Sequence, residues 1–350
     1  MSLSRNNRSI LTITITGLAL GVCYPIFARE FDKPIAFING LSIGGIGGLL
    51  IAIFELYILN PKNRKYSFPV IVSIKTLIYT ILFFFLIIFI KGFIESITIG
   101  QPFFEYIQSS VFQSFLWKED FDVIMIYSLV MVGFIIFSRQ MNRKIGQGVL
   151  FSFISGRLHE PVEEVRIFMF LDLKSSTTIA ERMGAIRFYE LLNDFFFDMT
   201  KSIEAGRGTI YRYVGDQVVL TWRLRDPEQN AYSVRTYLNI KRAFKGLNEK
   251  YFEKYGFVPE FRAALHCGKV IRGEIGDIKS QIVFHGEPLF VTGKIEKLCG
   301  KLNHSLLLSE PLKNQIKLPP LLHFQEVQYL PEQHFDDLPF GLFTIVEKES

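Results

Sequence analysis

The chain has 350 residues, 49% of them hydrophobic, and its 39 Lys and Arg against 34 Asp and Glu give a formal net charge of +5. The mean hydropathy of +0.25 is too high for an ordinary soluble protein. The excess cations flank apolar stretches, so the charge does not call for a nucleic-acid partner. Three cysteines (Cys23, Cys267 and Cys299) form no CxxC pair and the six histidines are scattered, which argues against a zinc site and favours a reduced compartment.

Four apolar stretches in the first 140 residues predict a four-helix transmembrane domain over 1–138. They cover about 11–28, 35–59, 68–90 and 121–138, and each is near the ~20 residues that cross a bilayer as a helix. The first stretch lacks a small-residue cleavage site and is followed by further spans. We therefore interpret it as a span rather than a signal peptide.

Cationic side chains beside the spans predict their orientation, because Lys and Arg collect in cytoplasmic loops. They precede the first span, lie between the second and third, and follow the fourth, while the other two loops carry mixed charge. These residues are Arg5, Arg8, Lys62, Arg64, Lys65, Arg139, Arg143 and Lys144. With four spans, both termini and the following domain would lie in the cytoplasm, in a multi-pass protein of the inner (cytoplasmic) membrane.

Two features within the spans leave alternatives open. Glu55 and Lys75 fall near the cytoplasmic ends of the second and third spans. Lys75 either pairs with Glu55 or snorkels to the surface, and the pattern slightly favours snorkelling. Overlapping GxxxG patterns at Gly40, Gly44 and Gly48 permit close helix contact, either within one chain or in a dimer.

A basic connector over 139–164 leads to a domain at 165–350. Predicted helices cover 176–205, 230–255 and 291–299, and predicted strands cover 166–171, 209–213, 217–222, 261–266, 269–275, 281–284, 305–309, 324–330 and 342–347. This order indicates an α/β domain of the split α+β type, ferredoxin-like or palm-like, with a mostly antiparallel sheet.

Two acids stand out in this domain. Asp172 directly follows an apolar strand, and Asp216 occupies a Gly-Asp turn in the first hairpin. Adjacent central strands would bring both carboxylates to one edge of the sheet, where paired acids suit magnesium. Ser175, Ser176 and Thr177 open the next helix with hydroxyls and free amides that suit phosphate.

An alternative interpretation gives each acid a structural role. In that case Asp172 caps the next helix and Asp216 only forms a turn. The two acids together, one after a buried strand and one in the hairpin, favour instead two metal ions acting on a nucleoside triphosphate.

Four motifs support a family resemblance that covers about 156 to the end: FLDLKSST, YRYVGDQVV, ALHCGKVIRGEIG and IVFHGEPL. Together they resemble the catalytic domain of class III nucleotidyl cyclases, the adenylate and guanylate cyclase family, of the bacterial membrane-anchored type. The resemblance implies a homodimer with its sites at the subunit interface. It also implies two Mg²⁺ or Mn²⁺ ions per site held by Asp172, Asp216 and the Leu173 carbonyl, with Ser176 and Thr177 at the phosphates.

The same resemblance assigns four further positions. Arg212 falls where the family reads adenine with a lysine, and Val283 falls where the family accepts the adenine amino group. Arg212 is only a donor, so it suits adenine N1 or guanine O6, and the absent glutamate of a guanine reader favours ATP over GTP. Phe290 and Lys294 replace a family Asn and Arg, and Lys294 keeps the positive charge that would steady the α-phosphate.

Three functions are compatible with these residues. The first is a membrane-anchored adenylate cyclase that makes 3′,5′-cyclic AMP and pyrophosphate from ATP by a two-metal mechanism. The second is a catalytically weak or inactive nucleotide-binding or dimerising module that regulates a partner, and a guanylate cyclase is a further alternative. Because both acids are retained, the sequence favours the first, with ATP, a second copy and the lipid bilayer as partners.

Overall fold

The computed structural model describes residues 5–27, 33–58, 68–118, 121–145, 160–276, 280–328 and 338–347. The chain divides into two compact units, Met1–Ser155 and Gly156–Ser350, called here the N-terminal and the C-terminal unit. Lys62, Arg64, Lys65 and most of the predicted connector lie outside the described residues.

The described part of the N-terminal unit is helical. Its elements are α1 (Arg5–Phe27), α2 (Pro34–Ile53) with a π-helical turn at Phe54–Ile58, α3 (Phe68–Ile99), α4 (Phe103–Gln108), α5 (Ser110–Lys118) and α6 (Phe121–Ile145). Among the described residues, three segments are long and apolar enough to cross a membrane, namely Pro34–Leu56, Val70–Ile99 and Phe121–Ser138.

The prediction of four spans is therefore wrong in number. The apolar part of α1 is Ser9–Cys23, which at 1.5 Å per residue reaches only about 22 Å against a hydrocarbon core of about 30 Å. Polar residues at the start of α1 limit this apolar part. The inference that both termini lie on one side depended on an even number of spans, so it does not follow from three.

Four glycines bring α1 and α2 into backbone contact. Gly17 and Gly21 on α1 face Gly44 and Gly40 on α2, and a Cβ built on any of the four would overlap a carbonyl oxygen of the facing helix. Small residues permit such close approach in apolar surroundings. The GxxxG pattern of α2 therefore serves packing within one chain.

This packing predicts the effect of one added methyl group. We expect Gly44→Ala to lower the thermal midpoint of the full chain in detergent, because separating α1 from α2 costs about 1–3 kcal/mol. Gly133→Ala is the matched control, since a Cβ on Gly133 meets nothing within 4 Å, and it should keep or slightly raise the midpoint. Equal midpoints for the two variants would contradict the close contact.

A buried ion pair links α2 to α3. Lys75 Nζ lies 2.6 Å from Glu55 Oε1, and the Tyr79 hydroxyl donates to the same oxygen at 3.0 Å. The two charged side chains are only 11% and 12% exposed. The prediction that Lys75 snorkels was therefore wrong, because Glu55 on the π-helical turn lies within its reach.

The C-terminal unit alternates strands and helices. In chain order its elements are β1 (Val162–Leu173), α7 (Ser176–Met183), α8 (Ala185–Ala205), β2 (Thr209–Val214), β3 (Gln217–Arg223), α9 (Pro227–Asn230), α10 (Tyr232–Lys245), α11 (Asn248–Tyr255), β4 (Phe261–Ile275), β5 (Gln281–His285), α12 (Glu287–Lys301), β6 (Leu306–Ser309), α13 (Glu310–Lys313), β7 (Leu322–Val327) and β8 (Leu342–Glu347).

These strands form one sheet in the order β2-β3-β1-β4-β6-β8-β7, with β5 paired to β4. Among the described strands, β4 and β6 pair in parallel and the other pairs are antiparallel. The predicted α/β fold with a mostly antiparallel sheet is confirmed.

Both faces of the central strand β1 are covered. Ile167, Met169 and Leu171 pack into the main core with α8, α10 and α11. Phe168 and Phe170 point to the other face, where they join a smaller aromatic cluster. Because side chains alternate along a strand, Asp172 continues the row of Phe168 and Phe170.

Several element boundaries differ from prediction for local reasons. β1 begins at Val162, inside the predicted connector, because residues 162–165 pair with β4. The predicted helix 176–205 is broken at Gly184, whose φ is +79°, and the predicted helix 230–255 is divided into α10 and α11. The two strands predicted at 261–266 and 269–275 form the single strand β4.

Helix α12 begins at Glu287 rather than at 291, since Pro288 fits a first helical turn, where no amide donor is needed.

Candidate active site

Asp172 lies near the end of β1, opposite Arg262 on β4. Arg262 Nη2 donates to Asp172 Oδ2 at 3.0 Å, and Arg262 Nε donates to Glu296 Oε1 on α12 at 2.5 Å. A carboxylate at the tip of a buried strand needs such a cation. Arg262 holds one oxygen of Asp172 and joins β1, β4 and α12 at this end of the sheet.

The sequence analysis missed Arg262 and Glu296. A signal existed for Arg262, since it is a charged residue within the apolar run of a central strand. Glu296 stands beside Ile295 and three residues before Cys299, on the buried side of α12. Neither pattern identifies a partner, because their contact joins residues that are far apart in sequence.

Asp216 occupies the turn between β2 and β3, and Val214 opposite Gln217 is the last residue pair of the two strands before that turn. Gly215 has φ +61°, a left-handed conformation that glycine adopts without strain. Because β3 pairs with β1 up to Leu171 opposite Val218, the turn lies beside Asp172. The side chains of Asp172 and Asp216 are within hydrogen-bonding reach of one another.

The site is rich in negative charge. Burial, together with the negative charges of Asp216 and Glu296, raises the pKa of the Asp172 carboxyl to about 7, and the positive charge of Arg262 opposes this effect. A hydrogen bond between the two aspartates also favours a proton on Asp172. The single cation Arg262 does not balance the three clustered acids Asp172, Asp216 and Glu296. Near neutral pH a proton is therefore shared within the cluster, and a divalent ion bound there would relieve the same repulsion.

The alternative structural role of Asp172 as a helix cap is excluded. The cap position of α7 is Ser175, whose φ of +55° is left-handed and whose side chain makes no capping bond. Ser175 and Thr177 are exposed and Ser176 is half-buried. The first amides of α7 therefore remain available to an anion, and such donors suit phosphate oxygens.

The two predicted base-reading positions lie beside one aromatic contact. Arg212 is exposed on β2 next to a bulge at Tyr211, and Val283 lies on β5 opposite Gly273. The Tyr211 hydroxyl accepts a hydrogen bond from the Phe284 amide at 3.1 Å, and the rings of Tyr211 and Phe284 are 5.0 Å apart. The structure thus brings the neighbours of both predicted residues together.

Lys294 and Phe290 lie together on α12. Lys294 Nζ is 5.0 Å from the centre of the Phe290 ring, and Phe290 is 67% exposed. Residues two apart on a helix point about 200° apart, so Lys294 points away from Glu296 and its contact with Arg262. These contacts therefore do not join Lys294 to the Asp172 and Asp216 pair of the same chain.

The donor set fits a hard cation with an incomplete protein shell. Among the residues that the structure describes, no group of three or more His, Cys, Asp and Glu side chains is arranged to hold a metal ion. A cation would therefore rely on Asp172, Asp216 and the Leu173 carbonyl, with water or substrate oxygens completing its shell. Magnesium is commonly bound in this way, through one or two carboxylates and phosphate oxygens.

Removal of the Arg262 charge should destabilise the C-terminal unit. In Arg262→Gln, Asp172 and Glu296 lose their shared cation while staying 14% and 11% exposed, and we expect unfolding to become easier by about 2–3 kcal/mol, below the full cost of a buried pair. Lys174→Gln is the control, because its pair with Glu260 is exposed and contributes under about 1 kcal/mol. Thermal melts of the full chain followed by tryptophan fluorescence measure both, and equal losses would contradict the proposed linkage.

Comparisons with known proteins agree with this fold. Residues 158–307 match the family model described as adenylate and guanylate cyclase catalytic domain. Adenylate cyclase 2 of Rhizobium meliloti is 33% identical over 204 residues, 58% of this chain and 56% of that protein. The adenylate cyclase of Anabaena cylindrica is 24% identical over 158 residues, 43% of this chain and 30% of that protein.

A solved structure of a bacterial light-regulated adenylyl cyclase superposes with a TM-score of 0.53 at 20% identity, over 67% of this chain and 68% of that chain. At this identity the likeness shows the fold alone. The chain spans about half the length, or less, of the curated relatives that it matches.

Proposed function

We propose that this chain, whose residues 158–307 belong to the class III nucleotidyl cyclase family, is a membrane-anchored adenylate cyclase acting as a homodimer. It would convert ATP to 3′,5′-cyclic AMP and pyrophosphate. The observation that carries the proposal is the contact between Asp172 and Asp216 at the sheet edge, beside the free amides of α7.

Each part of this reaction is assigned to named residues of the chain. Asp172, Asp216 and the Leu173 carbonyl would hold two Mg²⁺ or Mn²⁺ ions, which supply charge neutralisation and activate the ribose hydroxyl. Ser175, Ser176 and Thr177 bind the phosphates through the start of α7. The 3′-oxygen forms a bond to the α-phosphorus, the bond from that phosphorus to the bridging oxygen breaks, and pyrophosphate leaves while the hydroxyl proton passes to solvent.

Base recognition and charge stabilisation complete the assignment. Arg212 donates to the base, and a backbone carbonyl near Val283 accepts from the adenine amino group. Lys294 steadies the α-phosphate of a site formed with a second copy. This arrangement is consistent with Lys294 facing away from the acids of its own chain.

Exposed apolar side chains support a dimer. Tyr213 and Val214 beside the Asp216 turn are each 50% exposed, Ile275 on β4 is 62% exposed, and Phe290 on α12 is 67% exposed. Large apolar groups around a charged site are typical of a surface that another protein covers. A second copy of this chain would cover them and exclude water from the acids.

We infer from the cationic flanks that the C-terminal unit lies in the cytoplasm, at the inner membrane. Two candidate spans, in α3 and α6, lie between residues 59–67 and the residues after α6. A chain that crosses the membrane twice returns to the side where it began, so these two segments share one side whatever the position of α1. Both segments carry cations, namely Lys62, Arg64 and Lys65 in the first and Arg139, Arg143 and Lys144 at the second. Cationic loops face the cytoplasm, where ATP is available.

One observation favours a second function. Phe290 provides no amide, and Lys294 lacks the two-pronged geometry of arginine, so a symmetric dimer of this chain would lack two groups that stabilise the reacting phosphate. The second candidate is therefore a nucleotide-binding or dimerising module with weak or no turnover that regulates a partner.

Nucleotide preference provides the test of substrate. The full chain in lipid nanodiscs receives equal concentrations of ATP and GTP with MnCl₂, and mass spectrometry quantifies both cyclic products, so their ratio is the ratio of kcat/KM. We expect more cyclic AMP than cyclic GMP. Excess cyclic GMP would make the chain a guanylate cyclase, and binding of both nucleotides without either product would favour the regulatory module.

Metal affinity should depend on pH around neutrality. Since the pKa of Asp172 is raised to about 7, the carboxyl is mostly protonated at pH 6 and a cation must displace that proton. We expect the Mn²⁺ affinity of the full chain, measured by titration calorimetry, to rise about tenfold between pH 6 and pH 8 and then to level off.

The control for this titration is Glu228→Gln, which removes an exposed acid paired with Lys317. That variant should show the same pH dependence as the wild type. A flat affinity between pH 6 and pH 8 in the wild type would contradict a cation site on Asp172.

A further inference from the structure

Strand β5 is attached to the sheet along one edge. Among the described strands it pairs with β4 alone, through five residue pairs that run from Ile271 opposite His285 to Ile275 opposite Gln281. Strands β3, β1 and β4 lie between β5 and β2 in the order of the sheet. The position of β5 relative to β2 therefore depends on side-chain contacts rather than on direct pairing of the two backbones.

Tyr211 on β2 supplies such a contact. Its hydroxyl accepts a hydrogen bond from the Phe284 amide on β5 at 3.1 Å, and the two ring centres are 5.0 Å apart. The register between β2 and β3 shifts between Ile210 and Arg212, so Tyr211 lies at a bulge. Bulges redirect side chains, and Tyr211 packs against the smaller aromatic cluster on the second face of the sheet.

Phe284 is also held by the central strand β1. Its ring centre lies 5.7 Å from that of Phe168 and 4.4 Å from the guanidinium carbon of Arg166. Arg166 is only 9% exposed, and its Nε donates to Glu164 Oε1 at 2.8 Å. Because β1 is covered on both faces, Phe284 has a fixed place, and Tyr211 is fixed with it.

The hydrogen bond to Tyr211 also indicates the orientation of the β5 backbone. In an antiparallel pair of strands, residues that face the partner exchange both backbone bonds with it, and the alternate residues turn both groups away. Since the Phe284 amide donates to Tyr211, the Phe284 carbonyl also points away from β4. Next to Val283, β5 therefore presents an acceptor that its pairing with β4 does not use.

Arg212 contacts the same tyrosine. Its guanidinium carbon lies 5.0 Å from the centre of the Tyr211 ring, an arrangement in which a cation is attracted to an aromatic face. Tyr211 thus contacts both the predicted base donor on β2 and the strand that carries the predicted base acceptor.

We propose that Tyr211 is a positioning residue that sets the preference for adenine over guanine. This inference rests on the proposed function, in which Arg212 and the β5 backbone near Val283 meet the base. Arg212 can donate to adenine N1 or to guanine O6, so it does not discriminate between them. The acceptor on β5 does discriminate, because adenine presents an amino group where guanine presents an oxygen. Tyr211 holds that acceptor at a fixed distance from Arg212.

Binding of two nucleotides that cannot cyclise tests the proposal. Tyr211→Phe keeps the ring contacts and removes the acceptor of the Phe284 amide. Titration calorimetry of the full chain in nanodiscs with MnCl₂ measures the affinities for 3′-deoxy-ATP and 3′-deoxy-GTP, which lack the attacking hydroxyl. We expect the variant to bind 3′-deoxy-ATP about fivefold to tenfold more weakly, as for the loss of one hydrogen bond, and 3′-deoxy-GTP within about twofold of the wild type.

Tyr255→Phe is the matched control for the loss of a tyrosine hydroxyl. The Tyr255 hydroxyl on α11 donates to Asp194 Oδ2 on α8 at 2.9 Å, away from β2 and β5. Both variants lose one hydrogen bond, so a purely structural role predicts similar small losses in thermal midpoint and no change in the ratio of the two affinities. We expect that ratio to change in Tyr211→Phe alone.

The outcomes separate this inference from the proposed function. A wild type that prefers 3′-deoxy-ATP, together with an unchanged ratio in folded Tyr211→Phe, would overturn the role of Tyr211 alone. A wild type that binds neither nucleotide, or that prefers 3′-deoxy-GTP, would overturn this role together with the proposed adenine site. Because no turnover is needed, a chain that binds ATP without converting it still provides the answer.

A second variant alters the same contact from β5. Phe284→Leu keeps the amide but removes the ring that packs against Tyr211 and Phe168, and it should lower the same ratio of affinities. The double variant with Tyr211→Phe should lose less than the product of the two single losses, because both changes act through one contact. Losses that multiply in full would contradict this coupling, and Phe284→Leu decides the question if Tyr211→Phe does not fold.

Discussion

Asp172→Asn and Asp216→Asn should each reduce cyclic AMP formation by about 10³-fold or more. Each change removes a carboxylate from the pair that would hold the metal ions, and loss of even one preorganised stabilising group costs about 10²–10³ in rate. Initial rates of the full chain in nanodiscs with saturating Mn²⁺ measure the effect. Asp226→Asn is the matched control, since Asp226 caps α9 and Asn caps a helix equally well.

The stability of these variants separates a lost site from a lost fold. The pKa of Asp172 is raised by burial and by neighbouring acids, so its charged form is unfavourable in the metal-free protein above pH 7. Asp172→Asn removes that charge while its amide oxygen still accepts from Arg262. We therefore expect its thermal midpoint at pH 8, without metal, to equal or exceed that of the wild type. Undiminished turnover by a folded Asp172→Asn variant would contradict the mechanism.

The double variant Phe290→Asn/Lys294→Arg should raise turnover about 10²-fold. An asparagine supplies the amide that Phe290 lacks, and an arginine supplies two parallel donors in place of the single ammonium of Lys294. Both positions lie together on α12, and Phe290 is exposed, so neither change disturbs the core. The gain should fall on kcat if these groups act on the reacting phosphate.

A single change on α11 controls for the loss of an exposed aromatic ring. Phe252 on α11 is 65% exposed, close to the 67% of Phe290, so Phe252→Asn should leave turnover within about twofold. If the double variant on α12 gains no more than Phe252→Asn, these positions do not limit the reaction. That result would remove the main argument for the regulatory alternative.

Local patterns were sufficient to predict much of the C-terminal fold. The apolar run before Asp172 and the Gly-Asp turn at Asp216 are short-range signals, and the order of strands and helices placed both acids at one sheet edge. The hydroxyls at the start of α7 were also a local signal, and the family resemblance added Arg212, Val283, Phe290 and Lys294. The predicted roles of Ser175, Ser176, Thr177, Arg212, Val283 and Lys294 remain predictions.

Contacts between distant residues were not predictable in this way. Arg262 and Glu296 meet Asp172 only because β4 and α12 fold against β1, and the sequence assigns no such pairing. Glu55 reaches Lys75 through a π-helical turn that no hydropathy pattern indicates. The first predicted span was wrong because the apolar part of α1, Ser9–Cys23, is shorter than the stretch predicted over 11–28.

The most direct test of the central claim is product formation by the wild-type chain itself. The full chain in nanodiscs, at several protein concentrations, is given ATP with MnCl₂, and cyclic AMP and pyrophosphate are both quantified over time. We predict the two products in equal amounts, with a specific activity that rises with protein concentration as dimers form. Intact ATP after incubation with folded, dimeric protein would contradict the account and favour a nucleotide-binding regulator.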